Sequence, residues 1–169
     1  RQRQMCIRDS LSLGPVVAID TETMGLNLQR DRLCLVQLSA GDGNAHLVQI
    51  AADKKPCPNL AHLLADSSCE KLFHFGRFDI AMLKQHIGPL YGPLFCTKIA
   101  SKLCRTYTDK HGLADLCREL LGLEISKQQQ SSNWGSDELS KAQEDYAARD
   151  VLYLHQIKAK LRDMLCLLY

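Results

Sequence analysis

The sequence predicts an α/β fold in which helices pack on a mixed β-sheet. Residues 33–39 and 45–50 are apolar segments joined by a tight turn, a pattern typical of an antiparallel hairpin. Residues 70–75 form another apolar segment, which is followed by helical sequence. The final segment, from residue 140 to about 167, also has helical spacing. A hairpin followed by helix–strand–helix units implies a mixed sheet with helices on it.

The individual elements can be placed in order along the chain. Residues 16–20 are uninterrupted and rich in β-branched side chains, as in a strand buried on both faces. Strands over residues 33–39 and 45–50 follow, with the turn at residues 41–44 between them, and residues 70–75 form the fourth strand. The predicted helices cover residues 59–64, about 78–86, 97–104, 112–121 and 140 to about 167.

The composition is that of one globular domain. The chain has 169 residues, 46% of them hydrophobic and 24% charged, and its formal net charge is +2. This length is sufficient to bury a hydrophobic core. We assign residues 11–169 to a single domain, and residues 1–10, which lack periodicity, to a disordered or non-native tail. A net charge this small neither indicates nor excludes a nucleic-acid partner.

The cysteines indicate a reducing environment. There are eight, and no two form a Cys-x-x-Cys pair, so the sequence does not indicate a zinc ribbon or a redox motif. Several occupy apolar positions, and we interpret them as structural thiols of a cytoplasmic protein. No apolar stretch reaches the length of a transmembrane helix, and we expect no membrane partner.

Two acids close the first strand. Asp20 and Glu22 are two residues apart, so their side chains project from the same face. Two carboxylates at the end of a buried strand repel each other and are costly to desolvate. A hard divalent cation with oxygen ligands would neutralise them. The alternative is a strand that ends in a solvated polar turn, with Gly25 as the turn residue.

Two further acids lie on predicted helices. Asp79 stands in the first turn of a helix, where it could bind a cation or simply favour the helix dipole. Tyr146 and Asp150 are four residues apart and share the face of the last helix that points toward the sheet. An inward-facing Asp needs a partner or a cation. A buried hydrogen bond between Tyr146 and Asp150, or an Asp–Arg pair, is the alternative.

Basic residues recur along the helix at residues 97–104. Lys98, Lys102 and Arg105 share one helix face, which could bind phosphate groups. A solvated helix face explains the same spacing equally well. Trp134, the single tryptophan, is interpreted as a packing residue rather than a base-stacking one.

Together, the acids and the tyrosine resemble a known set of motifs. Asp20-x-Glu22 ends a strand, Asp79 opens a helix, and Tyr146-x-x-x-Asp150 lies on the last helix. This order and spacing resemble the DEDD superfamily of 3′–5′ exonucleases, in its tyrosine-bearing subgroup. Further similarity, to ribonuclease D-type enzymes, covers residues 112–116, 120–122, 127 and 130–134.

The resemblance implies a specific metal site. In that family, two divalent cations, Mg²⁺ or Mn²⁺, are held by acids that match Asp20, Glu22 and Asp150, with the first acid bridging both cations. Asp79 matches the acid that completes the ligands of the second cation, largely through water. Tyr146 matches the residue that positions the attacking water. Two cations can activate a nucleophile and stabilise the leaving oxygen of a phosphodiester.

The resemblance also implies a fold and an activity. The fold is ribonuclease H-like, a five-stranded mixed sheet with flanking helices, and its fifth strand falls near residues 94–96. The activity is 3′–5′ hydrolysis that releases nucleoside 5′-monophosphates from RNA 3′ ends, as in the processing of tRNA or other small RNA. Single-stranded RNA is the preferred partner. An exonuclease on single-stranded DNA or short oligonucleotides is the alternative, and a non-catalytic nucleic-acid-binding module or an unrelated α/β binding protein is disfavoured by the complete motif set.

Substrate contacts are expected just after the strand acids and from polar residues further along the chain. The residues are Thr23, Met24, Gly25, Lys98, Lys127 and Gln130. Two departures from the ribonuclease D-type pattern concern Asn133, where Asp is usual, and Arg149, where small or neutral residues are commoner. Neither position is a metal ligand, so we expect activity to survive and substrate handling to change.

Overall fold

The fold is organised around one mixed sheet. In the computed structural model of the chain, residues 13–53, 56–125 and 132–167 are described, together with the backbone of residues 2–4. Six strands are present within these residues. They are β1 (Gln2–Gln4), β2 (Val16–Thr23), β3 (Leu33–Ser39), β4 (His46–Gln49), β5 (Glu70–Phe73) and β6 (Leu94–Cys96).

The strand β2 is the junction between the antiparallel and parallel parts of the sheet. The strand order is β1-β4-β3-β2-β5-β6. β2, β3 and β4 are antiparallel neighbours, as the hairpin signal predicts. β5 pairs in parallel with β2, and β6 in parallel with β5. The five expected strands are therefore all present, and the predicted mixed sheet is confirmed.

The strand β1 was not predicted. Its residues fall in the segment that the sequence assigns to a tail, yet β1 pairs in parallel with β4, with Gln2 opposite His46 and Gln4 opposite Val48. Pairing with a sheet edge uses backbone groups alone, so it requires no hydrophobic periodicity. The start of the domain at residue 11 stays a prediction.

The helices lie close to their predicted positions, with two differences: one predicted helix ends in a π-helical turn, and the last predicted helix is divided in two. They are α1 (Pro58–Ala65), α2 (Arg77–His86), α3 (Thr97–Cys104), α4 (Leu113–Leu116), α5 (Lys141–Leu152) and α6 (Leu154–Cys166). The predicted helix at residues 112–121 comprises α4 and a π-helical turn, Cys117–Leu121. Among the described residues, no helix has both the length and the apolar character needed to cross a membrane.

The long helix predicted at residues 140–167 is in fact two helices. Ser140 begins α5 with a capping box, because its hydroxyl accepts from the Gln143 backbone and the Gln143 side chain accepts from the Ser140 backbone. At Tyr153 the backbone has φ −100° and ψ −6°, away from α-helical values. α5 packs on β2, β3 and β4, whereas α6 packs on α3, the π-helical turn and β5. The break at Tyr153 thus allows consecutive helices to follow two different surfaces.

Different helices cover the two faces of the sheet. On one face, Val17 and Ile19 of β2 pack with α1 and with Met82 of α2. On the other face, Ala18 packs with Ala148 of α5. Side chains alternate along a strand, so the even-numbered residues of β2 face α5 and the odd-numbered ones face α2.

Arg105 does not lie on an exposed basic face. Its side chain is fully buried, donates to Ser101 Oγ at 3.0 Å and to the Lys110 carbonyl at 3.0 Å, and forms an ion pair with Glu119. The predicted basic face is therefore wrong for Arg105, because α3 ends at Cys104 and the next side chain turns inward. Arg105 instead holds the connection between α3 and α4.

We expect the Arg105→Ala variant to lose about 3 kcal/mol of unfolding free energy, because it removes one partner of a largely buried ion pair. Denaturant titration measures the loss. The matched control is Lys102→Ala, whose side chain is exposed on the same helix and should change stability by less than about 0.5 kcal/mol. Equal losses in the two variants would contradict the buried role of Arg105.

Candidate active site

The strand β2 delivers two acids to the face of the sheet beneath α5. Asp20 lies opposite Gln37 of β3, and Glu22 lies opposite Leu35. The pairing shifts between Glu22 and Thr23, and such a bulge bends the strand directly after the acids. The structure therefore brings the two carboxylates together, as their spacing predicts.

The helix α5 adds a third acid and a tyrosine. Asp20, Glu22 and Asp150 each offer one carboxylate oxygen, and these oxygens lie within 4.8 Å of one another. The Tyr146 hydroxyl donates a hydrogen bond to Asp150, and its ring packs on buried Trp134 with centroids 6.0 Å apart. The Tyr–Asp hydrogen bond weighed as an alternative is thus present, but Asp150 also joins the other two acids. Trp134 is a packing residue, as predicted.

Asp79 approaches β2 from the opposite face. It is the third residue of α2 and is only 8% exposed. Its Oδ1 accepts a hydrogen bond from Thr21 Oγ1 at 2.5 Å, so it stands beside the three-acid group rather than within it. The sequence analysis missed Thr21. The available signal was its position between Asp20 and Glu22, which turns its side chain toward α2.

Burial raises the pKa of every one of these acids, and like charges raise it further for Asp20, Glu22 and Asp150. Burial, together with the charges of Asp150 and Asp79, raises the pKa of Glu22 to about 9. Burial raises the pKa of Asp150 to about 7, although the hydrogen bond from the neighbouring tyrosine opposes it. Burial and then the charges of the other acids raise the pKa of Asp20 well above its ordinary value. Burial also raises the pKa of Asp79, against the hydrogen bond from the threonine.

The three-acid group fits a hard divalent cation. Its potential ligands are carboxylate oxygens alone, which suit Mg²⁺ or Mn²⁺ and not the soft metals that prefer thiolates. Asp20, Glu22 and Asp150 repel one another, and a cation would remove that repulsion. Within the described part of the chain, no other group of three or more His, Cys, Asp or Glu side chains has ligand geometry.

The predicted substrate residues at the end of β2 and just after it form a turn at the edge of the site. The Thr23 hydroxyl donates to the Gly25 carbonyl at 2.7 Å. Gly25 has no room for a side chain, because a Cβ there would collide with the Asp31 carboxylate. Met24 is 53% exposed, and its sulfur packs against Gly135. The turn is therefore held in place, and its contact with a 3′ nucleotide stays a prediction.

Lys98 lies beside an aromatic ring that the sequence analysis did not single out. The Lys98 Nζ sits 3.9 Å from the centroid of the Phe75 ring. Phe75 is 55% exposed and has φ 62°, a left-handed conformation that is rare outside glycine. Because β5 runs parallel to β2, this pair lies at the same end of the sheet as Asp20. Lys127 and Gln130 lie outside the described residues, and their substrate contacts also stay predictions.

We expect the metal-free protein to lose stability as the pH rises from 7 to 9. In that range the folded state keeps protons, such as that of Glu22, which the unfolded chain releases near pH 4. Each retained proton costs about 1.4 kcal/mol of unfolding free energy per pH unit. Denaturant titration in EDTA at several pH values measures this slope.

The Glu22→Gln variant is the control for this slope, because its amide does not titrate. The variant should show a shallower decline than the unmodified protein over the same pH range. In the unmodified protein, added Mn²⁺ should raise the melting temperature more at pH 8.5 than at pH 6.5, because the cation competes with protons. A stability that is flat or rising from pH 7 to 9 would contradict a proton-holding acid cluster.

Comparison with known proteins identifies the family. A model of the 3′–5′ exonuclease family matches residues 6–166. Ribonuclease D of Granulibacter bethesdensis is 36% identical over 151 residues, which cover 89% of this chain and 38% of the relative. The chain thus spans about two fifths of the length of the curated ribonuclease D relatives it matches.

Solved structures agree in fold. NrnC of Brucella melitensis has a TM-score of 0.92 and 56% identity, and the match covers 96% of this chain and 80% of NrnC. NrnC is also known with bound Mg²⁺ and bound to pGG. Escherichia coli RNase D has a TM-score of 0.76 and 30% identity, over 89% of this chain and 39% of that protein. The chain therefore belongs to the 3′–5′ exonuclease family, in the ribonuclease D-like branch of the DEDD superfamily.

Proposed function

We propose that this chain is a metal-dependent 3′–5′ exoribonuclease that releases nucleoside 5′-monophosphates from RNA 3′ ends. One observation carries the proposal: Asp20, Glu22 and Asp150 place carboxylate oxygens within 4.8 Å of one another in a chain of this family. A solvated polar turn, the alternative weighed for the first two acids, would leave them apart from Asp150. Instead, β2 and α5 bring the three carboxylates together.

The four acids have distinct roles in this proposal. Asp20, Glu22 and Asp150 would hold two divalent cations, Mg²⁺ or Mn²⁺. Asp79 would help to hold the second cation from beside the group, where it accepts a hydrogen bond from Thr21. When bound, the cations supply an activated nucleophile and stabilise charge on the leaving oxygen.

Tyr146 orients the attacking water. Burial and the surrounding carboxylates raise the pKa of the Tyr146 hydroxyl, so the group stays neutral and can both donate and accept hydrogen bonds. Its bond to Asp150 and the packing of its ring on Trp134 limit the positions that the hydroxyl can take. A neutral, fixed hydroxyl beside the acids is suited to holding a water in line with a phosphorus atom.

Single-stranded RNA with a free 3′ end is the proposed substrate. Ribonuclease D relatives support RNA, and the chain's match to NrnC, a protein solved with pGG, supports a short oligonucleotide as the second candidate. Thr23, Met24 and Gly25 contact the 3′ nucleotide in this proposal. Lys98 contributes positive charge, and Lys127 and Gln130 contact the substrate further along. We propose a reducing, cytoplasmic setting, in keeping with the free cysteines of the described residues.

The direct test uses 5′-labelled substrates with Mg²⁺ or Mn²⁺. We expect a descending ladder on a 20-nucleotide single-stranded RNA or rapid conversion of a two-to-four-nucleotide RNA, and no reaction in EDTA. The Asp20→Ala variant should reduce product below detection while keeping its fold by circular dichroism, because the proposed bridging ligand is lost. Asp109→Asn, an exposed acid of the described residues, is the matched control and should retain activity.

Other outcomes of this test are informative. A ladder on DNA alone would keep the mechanism and replace the RNA substrate. Cleavage of short RNA without a ladder on long RNA would favour the oligonucleotide candidate. Absence of product on every substrate, from folded protein that binds Mn²⁺, would contradict the exonuclease proposal.

We expect the Tyr146→Phe variant to lower kcat about 100-fold with little change in Mn²⁺ affinity, because it removes the water-orienting hydroxyl and keeps the ring on Trp134. Single-turnover cleavage and calorimetric titration of Mn²⁺ measure the two quantities. If kcat stays within about threefold of the unmodified enzyme, the hydroxyl has no role in positioning the nucleophile.

A further inference from the structure

Gln37 is a buried polar residue with no visible role. Its side chain is fully buried in the middle of β3. Neither its Nε2 nor its Oε1 has a hydrogen-bond partner among the described residues. Buried amide groups are almost always hydrogen-bonded, because leaving one unpaired costs free energy. This amide is therefore a buried donor and acceptor whose partner has to be accounted for.

The position of Gln37 is directly beside the candidate metal site. It is the cross-strand partner of Asp20 in the antiparallel pairing of β2 and β3. Directly opposed residues project from the same face, with Cβ atoms about 4.5–5.5 Å apart. The next pair on this face is Glu22 with Leu35. Gln37 thus belongs to the same row of side chains as the acids beneath α5.

The other strand neighbours of Gln37 offer it no free polar side chain. Leu47 lies opposite on β4, and Leu47 and Leu35 belong to an apolar cluster with Ala147 of α5. Ser39, the next residue on the same face of β3, donates its hydroxyl proton to the Asn44 carbonyl at 2.7 Å. Asp20 is therefore the hydrogen-bond acceptor that the sheet presents to the Gln37 amide.

We propose that Gln37 is a positioning residue for the metal site, whose Nε2–H donates to the Asp20 carboxylate when that carboxylate ligates a divalent cation. This inference rests on the proposed function, since it requires that Asp20 binds the cation. Carboxylates that ligate metals are themselves held by hydrogen bonds, and losing such a donor typically costs 10-fold to 100-fold in metal affinity or activity. Gln37 would hold Asp20 from the neighbouring strand.

A purely structural amide behaves differently on substitution. Replacing an unpaired buried amide by an apolar side chain of similar length removes its desolvation cost, so the fold keeps or gains stability. It would not change the affinity for metal. Metal affinity therefore separates the two roles without reference to catalysis, and metal-free stability, measured on the same variant, shows that the variant is folded.

The test is the Gln37→Met variant, which keeps the length of the side chain and removes the donor. Leu35→Met, on the same strand and the same face, is the matched control. Calorimetric titration of Mn²⁺ without nucleic acid gives the dissociation constant, and thermal melting in EDTA gives the metal-free stability. We expect at least a 10-fold weaker Mn²⁺ affinity for Gln37→Met, an unchanged or higher melting temperature, and less than a threefold change in affinity for Leu35→Met.

An Mn²⁺ affinity within threefold of the unmodified protein would overturn the inference and leave Gln37 as a structural residue. If the unmodified protein itself does not bind Mn²⁺, the proposed function fails, which is a distinct result. Should Gln37→Met not fold, ¹⁵N spectra of the unmodified protein replace it. The assigned Gln37 side-chain amide should move downfield on addition of Mg²⁺, and an unshifted signal in protein that binds Mg²⁺ would also overturn the inference.

Discussion

The structure depends on holding like charges close together. The carboxylates of Asp20, Glu22 and Asp150 converge at the end of β2, where burial and mutual repulsion both oppose ionisation. Rigid elements hold them against this repulsion. β2 is hydrogen-bonded on both edges, and α5 is fixed by its capping box and by apolar contacts with three strands. A site on such elements keeps its geometry better than one on loops.

The alternation of side chains along β2 explains how one strand serves two helices. Asp20 and Glu22 face α5 and meet Asp150, whereas Thr21 faces α2 and bonds Asp79. Acids from opposite faces of the sheet thus gather around three consecutive residues. Asp79 affects the group mainly through its charge, which contributes to the raised pKa values of Asp20 and Glu22.

The acids do not by themselves select a substrate. Ribonuclease D and NrnC share this fold with the chain, at 30% and 56% identity. In the proposed function, selection among nucleic acids would fall to the surroundings of the site, such as the turn at Thr23–Gly25 and the pair formed by Lys98 and Phe75. Phe75 is exposed in a left-handed backbone conformation, and strained residues of this kind are often found at functional sites.

Most of the fold was predictable from the sequence, because strands and helices here carry clear hydrophobic periodicity. The strands from β2 to β5 and the first three helices lie close to their predicted positions. Two features of the fold were not predicted from the sequence. β1 is recognised by its backbone pairing with β4, and the break at Tyr153 has no proline or glycine to mark it. Both depend on which surfaces are available to the chain.

The candidate site also has features that could be predicted from the sequence and features that only the tertiary structure decided. Strand alternation and helical spacing are local rules, so the sequence by itself determined that Asp20 pairs with Glu22 and Tyr146 with Asp150, and the resemblance to the DEDD superfamily predicted that the two pairs form one group. The tertiary structure decided everything that depends on distant residues. It buried Arg105 against Glu119, bonded Thr21 to Asp79, and set Gln37 opposite Asp20. These pairings join residues far apart in the chain, so only the register of the sheet and the packing of the helices could reveal them.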